Sequence, residues 1–163
     1  MDAVAAHAGV SKATIYRWWP SKELLAADVL FREWQRVSQP ESHDTGSLAG
    51  DLSALVRPWA QQLAKGPDGR VIAALLARAQ NDPEFAEQYR ARFVEPRRDL
   101  SRTIFARAID RGEIPADTDV EVALDLLFGP FYHRLLHGHA PITDRFAVAV
   151  VGSVVAGAFR ARG

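Results

Sequence analysis

Apolar residues along most of this chain return at spacings of three and four, the period of one face of a helix. Leu48, Leu52, Leu55, Val56, Trp59 and Leu63 form the clearest stripe and predict an amphipathic helix closed by Gly66-Pro67. Val71 to Ala79 supplies the next helix, and Asn81-Asp82-Pro83 stops it. Asp82 can cap a following long helix that has Pro83 in its first turn and carries Phe85, Tyr89, Phe93, Leu100, Ile104, Phe105 and Ile109. Pro96 removes a backbone donor in its middle and is expected to bend it, and Gly112 ends it. Thr118 or Asp119 starts a further helix with Val122, Leu126, Leu127, Phe131, Leu135 and Leu136, expected to bend at Gly129-Pro130. A last helix runs from about Ile142 to Ala161, capped by Thr143 with Asp144 in the first turn. Its valines favour a strand, but an unbroken run of this length far exceeds the usual strand of about 5–6 residues.

The first 40 residues have a different grammar. A short alanine-rich helix ends at Gly9, which can take the left-handed conformation of a tight turn, and Val10 is expected to tuck into the angle behind it. Ser11 caps a second helix on which Ile15 and Trp19 face inward, together with Val4 and Ala8 of the first. Lys12, Ala13, Thr14, Tyr16, Arg17 and Trp18 are left on the remaining surface; Pro20 stops this helix and Ser21 caps the next. Small and polar residues at such a helix's start can approach base edges in a major groove, while a tyrosine hydroxyl and cations reach phosphates. Turn and breaker residues gather from Ser38 to Ser47, where a junction is expected. The fold class is all-α, with a helix-turn-helix and its linking helix expected over 1–40, followed by a helical-bundle domain over 41–163.

Composition narrows the field more by exclusion than by indication. Twenty basic residues balance twenty acidic ones, so overall charge says nothing about nucleic acid. From Met1 to Lys22 the cations Lys12, Arg17 and Lys22 stand against the single anion Asp2, a weak basic bias. Cysteine is absent, which removes disulfides, thiolate chemistry and cysteine-bound metals and fits a reducing compartment. No cationic stretch leads into an apolar run at the start, so export is not expected and the cytoplasm is the default location. The longest nearly uncharged stretch, Phe146 to Phe159, falls short of the roughly 20 residues a membrane span needs and is bracketed by Arg145 and Arg160. No membrane partner is expected. Glycine-rich phosphate loops, nucleophile elbows and paired carboxylates do not stand out, and catalysis and cofactors are not expected.

The run Ala8-Gly9-Val10-Ser11-Lys12-Ala13-Thr14-Ile15-Tyr16-Arg17-Trp18-Trp19-Pro20-Ser21-Lys22-Glu23 resembles the DNA-binding signature of TetR/AcrR transcriptional regulators. The likeness is close from about Val4 to Leu30. Leu127-Phe128-Gly129-Pro130-Phe131-Tyr132 is similar to a stretch in one class of TetR-like C-terminal domains. The resemblance implies that Ser11, Lys12, Ala13, Thr14 and Arg17 face a double-stranded DNA operator, with Tyr16, Trp18 and Lys22 near its backbone. The family's DNA-binding domain has a further amphipathic helix ahead of this pair, and the expectation is that Met1 is an internal methionine of a longer protein.

The same resemblance implies a ligand-responsive regulator, expected to be a repressor. A cavity lined by Trp59, Phe85, Tyr89, Phe93, Phe128 and Tyr132 would take an apolar or aromatic small-molecule effector; ordinary core is the plainer reading of aromatics at helical spacing. The two final helices are apolar around most of their circumference and need a partner, so a homodimer is expected. Its interface would use Val148, Val151, Gly152, Val155, Ala156 and Phe159, and two recognition helices would read a pseudo-palindromic operator. His133 and His137 share a helical face near His139, but no third ligand is fixed beside them and no metal is expected. The alternative is a dimeric helical small-molecule-binding protein without DNA-binding activity.

Overall fold

The computed structural model describes residues 1–38 and 43–158, and all regular structure among them is helical. The helices are α1 (Asp2–Ala8), α2 (Lys12–Trp18), α3 (Lys22–Ser38), α4 (Leu48–Ala64), α5 (Gly66–Ala79), α6 (Pro83–Tyr89), α7 (Glu95–Asp110), α8 (Val120–His137) and α9 (Asp144–Ala158), with a π-helical turn, Arg90–Val94, joining α6 to α7. The expected junction at Ser38 to Ser47 lies partly outside the described residues, as does the end of the last helix. Among the described residues no helix is long and apolar enough to cross a membrane.

Local chemistry sets most of the boundaries. The Ser11 side chain accepts from the Thr14 backbone N–H at 3.1 Å, Asp82 from Phe85 at 3.0 Å, Asp119 from Val122 at 3.1 Å and Thr143 from Phe146 at 3.1 Å. Each satisfies a donor that a helix start leaves open. Gly9 closes α1 with φ 65°, a conformation that costs any residue with a Cβ.

Two boundaries differ from expectation. Gly66-Pro67 does not close α4; Lys65 is the break, and Gly66-Pro67 make the first turn of α5, where proline's missing N–H costs nothing. The adjoining Gly69 must lack a side chain, since a Cβ there would sit 2.5 Å from the Leu63 carbonyl oxygen. The long helix expected to bend at Pro96 is instead re-registered just ahead of it. The Arg92 carbonyl has no α-helical partner because Pro96 has no N–H, and Glu95 N–H bonds the Arg90 carbonyl in the wider π pattern. Pro130, by contrast, lies inside a single continuous α8.

The core forms around α4, which touches α3, α5, α7 and α9. Every apolar residue of its predicted stripe is buried, and Phe105, Leu124, Leu127 and Phe131 close over it without solvent exposure. A second, smaller cluster of Leu24, Ala27, Leu75, Phe85, Tyr89 and Phe93 joins α3 to α5, α6 and the π turn. Polar staples fix the ends. Asp51, fully buried, accepts from the Thr45 N–H at 2.6 Å and hydroxyl at 2.8 Å and faces Arg111 at 3.4 Å and Arg107 at 3.6 Å. Glu113 accepts from Leu48 N–H at 2.7 Å, and that bond, with Arg111, holds its carboxyl below the usual range.

Candidate nucleic-acid interface and interior cavity

The N-terminal pair is built as its sequence implies on one side and not on the other. Ile15 is buried and Trp19 half-buried, its indole donating to Asp28 at 3.2 Å. Val4, Ala8 and Val10, expected inward or in the turn, are exposed, because no described residue packs over that face. On the outer face of α2, Lys12, Ala13, Tyr16, Arg17 and Trp18 are exposed and Thr14 is partly so. Trp18 keeps 63 % of its surface in solvent, far too much for a core residue. Ser11 is committed to capping, and its hydroxyl also lies 2.9 Å from that of Thr14. Lys12 pairs with Asp2, Lys22 sits 3.9 Å from Glu23, and Arg17 lies 5.9 Å from the Trp18 ring with no carboxylate partner among the described residues.

Several contacts near α2 tie this unit to the rest of the chain. Trp19 packs on the smaller cluster beside Leu24, Arg78 of α5 pairs with Glu23 at 2.6 Å, and Arg92 of the π turn donates to the Trp18 carbonyl at 3.5 Å.

Behind that contact lies a small cavity of about 40 Å³. It is lined from α3 by Ala27, Leu30, Phe31 and Trp34, from α4 by Trp59 and Gln62, and from α5 by Ile72 and Leu75; Tyr89, Phe93 and Arg97 complete it. Of the six aromatics expected to line a ligand site, Trp59, Tyr89 and Phe93 line this cavity. Phe128 and Tyr132 stand behind, against Trp59 at 5.3 and 5.5 Å between ring centroids. Phe85 does not reach the cavity: Tyr89 stacks on it and the Arg78 guanidinium covers its face at 4.6 Å. Sequence reasoning missed Trp34 and Arg97. Trp34 follows Leu30 and Phe31 at helical spacing and was open to discovery that way; nothing in the sequence marks Arg97.

The outer faces of α8 and α9 carry exposed apolar residues, Val122, Leu126 and Leu136 on one and Val148 on the other. Gly152 and Ala156, expected at a dimer interface, are exposed beside Val148, and Val155 is half-buried against the core. Val151 does not belong to that surface: it is buried in its own subunit, where α9 packs on α4. Phe159 lies outside the described residues. The first three α8 positions were legible as helix residues but not as surface. His133 has ring centroids 4.7 Å from His137 and 4.9 Å from His139, and among the described residues no three His, Asp or Glu side chains are placed to hold a metal ion.

Comparison with known proteins agrees with this architecture. Residues 1–29 match the family profile "Bacterial regulatory proteins, tetR family", and residues 42–154 match "Tetracyclin repressor-like, C-terminal domain". The chain is 36 % identical over 147 residues to the Bacillus subtilis HTH-type transcriptional regulator YdeS, covering 90 % of this chain and 72 % of that protein. It is 32 % identical over 164 residues to the DNA-binding transcriptional repressor TetR of Mycobacteroides abscessus, covering 95 % and 80 %. The crystal structure of TetR family transcription regulator SCO0332 superposes with a TM-score of 0.80 at 36 % identity, over 96 % of this chain and 85 % of that one. The chain belongs to the TetR family of bacterial transcriptional regulators, whose members carry a DNA-binding helix-turn-helix.

Proposed function

We propose that this protein is a ligand-responsive repressor that binds a pseudo-palindromic operator as a homodimer in the cytoplasm, with residues 1–40 as its DNA-binding part and 41–163 as its regulatory and dimerising part. The observation that carries this is α2: seven residues capped by Ser11, anchored by Ile15 and Trp19, with Lys12, Ala13, Tyr16, Arg17 and Trp18 on the open face. Lys12, Ala13, Thr14 and Arg17 are the side chains for base edges, and Tyr16, Trp18 and Lys22 those for phosphates.

An effector acts in this reading by preferring one of two arrangements of α3 against the C-terminal bundle. Tyr89 and Phe93 line the cavity and also belong to the cluster on which Trp19 and Leu24 rest. A small apolar or aromatic molecule that spreads α3 from α4 and α5 therefore moves the support of the recognition helix, and operator affinity falls by the ligand's differential affinity for the two states. The dimer uses the exposed faces of α8 and α9, with Val148, Gly152, Val155 and Ala156 joined by Val122, Leu126 and Leu136.

The test is fluorescence anisotropy on duplexes from the gene's own flanking intergenic DNA over a salt series. Binding at least about 1,000-fold tighter than to a scrambled duplex is expected of a specific regulator. Equal affinity for every flanking duplex and the scrambled one would favour a helical small-molecule-binding protein without DNA-binding activity.

A further inference from the structure

Arg97 stands apart from the other arginines of its helix. Arg98 meets Glu121 at 2.5 Å and Asp125 at 2.7 Å, Arg102 meets Glu121 and Asp99 at 2.6 Å, and Arg107 faces Asp51 at 3.6 Å. Arg97 has no carboxylate partner among the described residues. A guanidinium carries five N–H donors, and here one of them is engaged, by the Tyr132 hydroxyl at 2.6 Å. Its Nε is buried without any acceptor.

What surrounds the charge instead is aromatic. The guanidinium lies 4.9 Å from the Trp59 ring centroid, 5.0 Å from Phe128 and 5.9 Å from Tyr132. Ring faces attract a cation but accept few of its hydrogen bonds, so donors of this half-buried guanidinium stay open, the Nε among them out of reach of water. A charge held in this way is costly unless something pairs with it.

The cavity that Arg97 lines combines hydrocarbon walls with hydrogen-bond donors. Phe31, Ile72 and Leu75 offer only hydrocarbon. Trp34, also in the lining, has a buried indole N–H with no acceptor. Burial, then the neighbouring Tyr132, raise the Tyr89 phenol's pKa, while Arg97 acts the other way; the phenol stays a neutral O–H donor at neutral pH. Gln62 already gives its amide N–H to the Leu30 carbonyl at 3.1 Å. A planar acceptor pair matches the fork of Arg97, and an apolar body matches the wall opposite.

We propose that the effector is an organic carboxylate on an apolar or aromatic body, its carboxylate held by Arg97 and its body lying among Phe31, Trp34, Ile72 and Leu75. This rests on the cavity being the effector site and narrows the ligand class there from apolar molecules in general to amphiphilic anions. Arg97 sits in the first turn of α7, directly after the π turn whose Arg92 touches the Trp18 carbonyl, so pairing the guanidinium acts on the segment that supports the recognition helix.

The experiment is isothermal titration calorimetry of the whole chain with three matched probes: 3-phenylpropanoate, its neutral amide and the corresponding amine. The acid is expected to bind roughly 10- to 100-fold tighter than the amide, the range for charge-assisted hydrogen bonds, and the amine weakest. Arg97→Met should erase that preference, with circular dichroism and thermal unfolding showing that the variant is folded. Arg97→Lys, which keeps the charge but loses the fork, should fall between. Equal binding of acid and amide by the unaltered chain overturns the carboxylate assignment while leaving the effector site standing, as does an acid preference that survives in Arg97→Met. Failure of all three probes to bind overturns the effector site and the carboxylate assignment together.

Discussion

Replacing Leu126 by glutamate should split the proposed homodimer, and the structure sets the size of the effect. Leu126 keeps 58 % of its surface exposed in the isolated subunit. Fully burying a leucine contributes about 1.5–3 kcal/mol, so the exposed share of Leu126 leaves about 1–2 kcal/mol for an interface. A twofold interface uses the residue twice, which raises the loss to about 2–4 kcal/mol, or a roughly 30- to 1,000-fold weaker dimer. A carboxylate buried in the interface in place of the leucine adds desolvation to that figure. Val29→Glu is the control, because Val29 on α3 is also 58 % exposed but lies away from the α8 and α9 faces. Sedimentation velocity over a wide concentration series reads the equilibrium directly, and circular dichroism with thermal unfolding confirms that both variants fold. Specific operator binding should weaken with the dimer, since each subunit then engages its half-site alone. Leu126→Glu sedimenting as a dimer throughout, or Val29→Glu dissociating to the same extent, would refute the assignment of the interface.

Other consequences follow from residues outside that surface. Asp51→Ala removes a fully buried carboxylate and leaves Arg107 and Arg111 facing each other without it; a loss of about 2–4 kcal/mol is expected in urea denaturation, below the full cost of an orphaned buried charge because both arginines reach solvent. Glu121, held down to about 2 by hydrogen bonds from Arg102 and then Arg98, has a native pKa below its unfolded value. The stability it contributes is therefore present above about pH 4.5 and lost as pH falls toward about 2. Thermal unfolding of Glu121→Gln across that window should show a flatter fall than the unaltered chain. Arg17→Ala on α2 should lower specific operator affinity by about 1–3 kcal/mol if it reads a base edge, and reduce the salt slope by about 1 with uniform weakening if it reads a phosphate; anisotropy on specific and scrambled duplexes at several salt concentrations separates the two.

Much of this molecule was written in chemistry that acts over one helical turn. Ser11, Asp82, Asp119 and Thr143 cap the helices that follow them because a side-chain oxygen and an orphan N–H lie three residues apart whatever the rest of the fold does. The same locality made Gly9, the α4 stripe and the anchors Ile15 and Trp19 readable, and with them the recognition helix. Local rules misplaced the α4 to α5 boundary because Gly66-Pro67 serves equally as the end of one helix and the start of another, and only the close approach of Gly69 to Leu63 settles which. The interior was decided by contacts between residues far apart in sequence. Phe85 and Phe93 have the same side chain about two turns apart, yet one meets Arg78 and the other the cavity. Val148 and Val151 are three residues apart on α9, yet α4 covers only the second. Arg97 differs from Arg98 only in which side of α7 it leaves. The carboxylates of α8 lie on one side, and the rings of Trp59, Phe128 and Tyr132 lie on the other. Charge and hydrophobicity are properties of a residue, but pairing and burial belong to its neighbours, and the neighbours here come from helices that meet only once the chain has packed.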